Sequence, residues 1–129
     1  MSVSQPTLLC VHMPKERQMR LSFLALSLGV SLREVTEAQQ GQPLGALCGL
    51  DPLRPLPGPA RVEEEMLVMA FFPDPLMDRL LPLLRRDLGG VRLKAVLTPT
   101  NRNWTCGMLY AALTQEAAQF KQGKPSASR

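Results

Sequence analysis

The sequence predicts an α/β fold: a single domain of two βαβα pseudo-repeats, forming a four-stranded sheet with helices packed on it. Three observations carry this. Thr7–Met13 (TLLCVHM) and Met66–Phe72 (MLVMAFF) are nearly unbroken apolar runs, each closed by a proline, as buried strands read. A helical pattern that stops at glycine follows each one. An alternating segment comes next in both halves, Ser31–Val35 (SLREV) and Val91–Thr98 (VRLKAVLT).

The elements follow in order. Residues 1–6 form a short start. Lys15–Leu28 is a helix ended by Gly29, with Met19, Phe23 and Leu26 marking its apolar face and Leu24 and Leu28 beside it. Gln42–Leu50 is a short apolar helix that starts near Pro43. Asp51–Val62 holds four prolines, which excludes a regular helix or a central strand, so it reads as an extended linker. Its PxxP pattern, Pro52 to Pro55, is common by chance. Glu63–Glu65 reads as a solvated strand entrance. Asp74 and Pro75 read as N-cap and first helical residue of the next helix. There Met77, Leu81, Leu84 and Leu88 form one apolar face, Pro82 lies inside, and Gly89-Gly90 ends the element. A turn at Pro99–Asn103 leads to a last helix from about Trp104 to Gln122, and 123–129 reads as a disordered tail. The domain thus spans 1–122, with halves 7–50 and 63–122. Gly29–Val35 lines up with Gly90–Val96 at an offset of 61, which also places Pro14 on Pro75.

Composition narrows the function. Hydrophobic residues are 45% and aromatics only 5%, so aliphatic side chains build the core and few rings remain to stack on bases. The net charge is +4, but Lys121, Lys124 and Arg129 lie in the last nine residues. Without them twelve basic residues face eleven acidic ones, which argues against nucleic acid. Lys15–Val30 imitates the charged and apolar regions of a signal peptide, yet an apolar strand precedes it. No run is long enough to span a bilayer. Three cysteines without a CxxC pair read as reduced, buried thiols, so a cytoplasmic location is expected.

Motifs for chemistry are sparse. Cys10 and His12 share a face of the first strand by alternation, but no third group that would orient them is indicated. With Cys48 and Cys106 they lack the local spacing of a zinc site, so no metal and no cofactor is assigned. P-loop and dinucleotide-binding patterns are absent. The most suggestive set is Thr98, Asn101 and Trp104, between a strand end and a helix start. Ligands bind there in open α/β sheets, and free N–H groups can hold an anion. The same residues serve equally as caps and turn formers. Gln42 and Gly45 hold the corresponding place in the first half, where Gly45 permits close packing or the approach of a partner.

Leu93-Lys-Ala-Val-Leu-Thr98 followed by Asn101 and Trp104 resembles the signature of a bacterial family known only as a domain of unknown function. Gln42-Pro-Leu-Gly45 with Gly49 resembles an N-terminal segment of its longer members. The resemblance implies no activity. The leading expectation is a non-catalytic binding or regulatory module that works through protein contacts, with another protein or as a homodimer. Exposed apolar residues such as Leu53, Leu56 or Phe120 would favour it. The alternative is a small-ligand binder or enzyme that uses the 98–104 loop.

Overall fold

The computed structural model describes residues 5–121; the tail expected at 123–129 lies outside the described residues. The α/β class and the single four-stranded sheet are as the sequence predicts. Strands β1 (Thr7–Val11), β2 (Ser31–Val35), β3 (Met66–Ala70) and β4 (Leu93–Val96) lie in the order β2-β1-β3-β4. β1–β2 and β3–β4 are parallel pairs, and β1 meets β3 antiparallel with Leu9 opposite Val68. The order is therefore palindromic about the β1–β3 seam.

The two central strands are buried throughout, and apolar but for Thr7, because both their faces are covered. Leu8, Cys10, Leu67 and Met69 point to helices α1 (Lys15–Leu28) and α3 (Asp74–Leu88). Leu9, Val11, Met66, Val68 and Ala70 point to the other face, covered by α2 (Leu44–Leu47) and α4 (Cys106–Lys121). Val91 and Leu93 fall in different clusters, so the face expected to run from Val91 to Leu97 begins at Leu93.

Several expectations are corrected. The core face of α1 is Leu21, Leu24 and Ala25, whereas Met19, Phe23 and Leu26 point to solvent. The helix carries apolar residues on two opposite sides, so periodicity alone could not say which one docks. On α3 the buried row is Leu80, Leu84 and Leu88. α3 starts at Asp74 with Pro73 at the cap, and Asp74 makes no capping hydrogen bond. The last helix starts at Cys106 rather than Trp104, with the Thr105 hydroxyl accepting the Met108 N–H.

The strands β1 and β3 end earlier than expected. His12 and Phe71 each lie one residue beyond a strand, with φ of 55° and 64°. Each is followed by an X-Pro pair, Met13-Pro14 and Phe72-Pro73, whose first residue is held extended. The reversal from strand to helix therefore falls on the residue before, in a region non-glycine residues seldom adopt. Cys10 and His12 do not share a face: Cys10 is buried and His12, past the strand end, is exposed. The first strand and the helix start of each half stand 59 residues apart, with Pro14 and Pro73 at the two helix caps, whereas β2 and β4 start 62 apart.

The acidic run is more than a solvated entrance. Glu65 pairs with Arg17 of α1 at 2.5 Å, and Arg17 also donates to the carbonyls of Leu88 and Gly90 at 2.7 and 2.9 Å. Glu64 pairs with Arg92 at 2.5 Å. Segment 51–62 has no regular structure, as expected, yet it is strapped down. The Gly58 N–H donates to Gly41, the Thr105 hydroxyl donates to the Pro59 carbonyl, and Val62 is buried.

Candidate functional site

The turn that precedes α4 is built from its own side chains. The Asn101 Oδ1 accepts the Thr98 N–H at 2.8 Å, and its Nδ2 donates to the Val96 carbonyl at 3.0 Å. The Thr98 hydroxyl accepts the Asn101 N–H at 3.1 Å. The Asn101 carbonyl accepts the Trp104 N–H at 2.9 Å. Asn101 is buried, and its amide is spent on turning the chain. The Thr98 hydroxyl accepts one bond within the turn and stands exposed at its edge.

The two suggestive segments meet directly. The Leu44 N–H donates to the Trp104 carbonyl and the Gly45 N–H to the Arg102 carbonyl, both at 2.8 Å. The Cys106 N–H, at the start of α4, is taken by the Gln40 carbonyl at 3.1 Å. That bond, together with the Thr105–Met108 cap, occupies donors an anion would need, so the helix start is not an open anion site. A side chain on Gly45 would collide with Arg102, which makes this glycine a close-packing position. Gln42 clips the proline-rich strap, donating to the Arg54 carbonyl at 3.0 Å and accepting the Arg54 N–H at 2.7 Å. Trp104 is half-buried against the core beneath α4. Arg102 closes the junction through a two-point ion pair with Asp51, at 2.8 and 2.6 Å. That pair holds the Asp51 carboxyl below the usual carboxylate range.

Beside this junction, at the carboxyl ends of β3 and β4, lies an open cleft of about 290 Å³. Phe71, Phe72, Val96, Leu97 and Pro99 supply most of its wall, with Thr98 and Arg102 at the polar edge. Its one charged wall residue is already held by Asp51, and it has no pair of groups for acid–base work. Phe71 went unnoticed in the sequence because it reads as the last apolar residue of a strand.

The thiols are poor nucleophiles. Burial first, then the charges of Glu34 and Glu65, pushes Cys10 up to about 11. Burial pushes Cys48 to about 11 and Cys106 to about 12. Among the described residues no group of three His, Cys, Asp or Glu is placed to hold a metal ion. Among the same residues no helix is long and apolar enough to cross a membrane.

The feature of the surface that sequence reasoning assigned to the core is the outer row of α1. Met19, Phe23 and Leu26 are 62%, 66% and 77% exposed, and their spacing puts them on one stripe opposite the buried face. Leu53 and Leu56 of the strap are also exposed; the side chain of Phe120 lies outside the described residues.

The sequence model of a family described as "Domain of unknown function (DUF3783)" matches residues 65–120, from the start of β3 into α4. This supports the resemblance to an uncharacterised domain family over that segment. No curated protein and no solved structure matches the chain.

Proposed function

We propose that this protein is a non-catalytic binding module that works through protein contacts, and that the outer face of α1 is its contact surface. The observation that carries this is the Met19–Phe23–Leu26 stripe, a contiguous apolar row on a helix whose other side is fully docked. Leaving such a row in water forgoes roughly 1.5–3 kcal/mol for each side chain that a partner could cover. The inert thiols and the self-satisfied 98–104 turn point the same way. The same reading takes the two halves as pseudo-repeats, the LKAVLT–N–W segment as the mark of a bacterial family, and the location as cytoplasmic. The cleft beside Phe71 favours a second reading, a binder of a small apolar ligand that uses Thr98 at the rim.

The test is a photo-crosslinking amino acid placed at Ser22, beside the stripe, and in a second variant at Pro82, on the outer face of α3. Irradiation in the producing cell should give a discrete protein adduct from position 22 and none from position 82. No adduct from position 22, with the variant folded, would overturn the reading.

A further inference from the structure

The stripe on α1 calls for an apolar counterpart, and its borders say which kind. The charged residues beside it, Lys15, Glu16 and Arg20, all lie in the first two turns. Glu16 and Arg20 already pair with each other at 3.5 Å. The second half is bordered by Ser22 and Ser27, and the last turn of α1 carries no basic residue. The negative end of this helix therefore lacks a cation of its own.

Resting on the reading of α1 as a contact surface, we propose that its occupant is a second copy of this chain, bound through an antiparallel α1–α1 contact. In that arrangement Phe23 lies near the twofold axis and Met19 of each copy meets Leu26 of the other. Lys15 comes to the carboxyl end of the opposite helix, whose last turn holds no basic residue and where a cation is favourable, while Glu16 and Arg20 arrive there as a neutral pair. A parallel contact would instead stack Lys15 on Lys15 and Glu16 on Glu16. An isologous contact also guarantees that each stripe finds an equal one. On α3 the corresponding positions are Asp78, Pro82 and Arg85, all exposed, so the apolar patch does not continue across that helix. A contact confined to one helix pair falls below the ~800 Å² per partner of a standard interface, so the dimer is weak, with a Kd on the order of 10–100 μM.

Sedimentation velocity from about 5 to 500 μM spans that range. The wild-type chain should shift from monomer to dimer, and Phe23→Asp should raise the Kd at least about tenfold. Leu26→Ser serves the same purpose should Phe23→Asp fail to fold. Orientation is read by mild oxidation of Ser22→Cys and Lys15→Cys; the native cysteines at 10, 48 and 106 are buried and stay out of the reaction. Ser22→Cys should form a linked dimer and Lys15→Cys should not. Linking at both positions would overturn the antiparallel arrangement, and a dimer that survives both stripe variants would overturn the use of this face. A wild-type chain that stays monomeric throughout would overturn the second copy as occupant. In that case an adduct of another mass from position 22 would keep the contact reading, and no adduct would remove both.

Discussion

Helices α1 and α3 hold corresponding places on one face of the sheet, each leaving its strand through a strained residue and a proline cap. Facing the sheet they are alike. Leu21 and Leu80, at the matching offset of 59, are both fully buried, and Ala25 matches Leu84. Facing solvent they differ: the row Met19, Phe23, Leu26 on one helix is Asp78, Pro82, Arg85 on the other. The fold needs only the inner rows. An apolar outer row that the partner helix does without has no task inside the monomer, and this is why the proposed contact surface lies there.

The largest effect should come from the shared inner rows. Leu21→Ala and Leu80→Ala should each lower the stability by about 2–5 kcal/mol, since each leaves a cavity beneath a helix. Chemical denaturation of both variants measures this. Values within about 1 kcal/mol of each other would support equivalent docking of the two helices. A much smaller loss at Leu21 would break the comparison, because α1 would then be less firmly seated and its outer row could turn inward.

A smaller effect, of opposite sign, should appear on the outer row of α3. Pro82 lies inside the helix, cannot donate to the Asp78 carbonyl and crowds it. Its side chain is exposed, so little packing is lost by removing it. Pro82→Ala should raise the stability by roughly 1–3 kcal/mol, read as a higher Tm. A loss would show that the proline shapes how α3 sits on the sheet.

These comparisons also mark what the sequence could tell. Strands β1 and β3 were legible because covered strands need apolar residues at every position, and few other elements give that run. The ends were less so. Phe71 and His12 look like strand residues until the X-Pro constraint after them is taken into account. The face of α1 was misread because Leu21, Leu24 and Ala25 compete with Met19, Phe23 and Leu26, and periodicity counts both rows. Alignment with α3 at an offset of 59 would have decided it, since Leu21, Leu24 and Ala25 all meet leucines there, whereas Met19, Phe23 and Leu26 meet Asp78, Pro82 and Arg85; the offset of 61 hid this. Thr98, Asn101 and Trp104 were correctly located at a strand end. Whether a side-chain amide serves its own turn or a ligand depends on φ and ψ over a few residues, which the residue types do not determine.

The smallest expected effect is at the helix ends. The last turn of α3 carries Arg85 and Arg86, and Arg86 holds Asp87 by hydrogen bonds of 2.7 and 3.2 Å. That contact keeps the Asp87 carboxyl below its ordinary value in the folded protein. A group lowered on folding adds stability that is present above its unfolded pKa of about 3.9 and lost as the pH falls through the folded one. The last turn of α1 has no such pair. Asp87→Asn should therefore lower the melting temperature at pH 7 slightly and flatten its decline by the same small amount as the pH falls below about 4. The pair is exposed, so salt should shrink the difference between variant and wild type. An acid decline identical in the two proteins at low salt would mean that the charge at the end of α3 contributes nothing. The two helices would then differ in their outer apolar row alone.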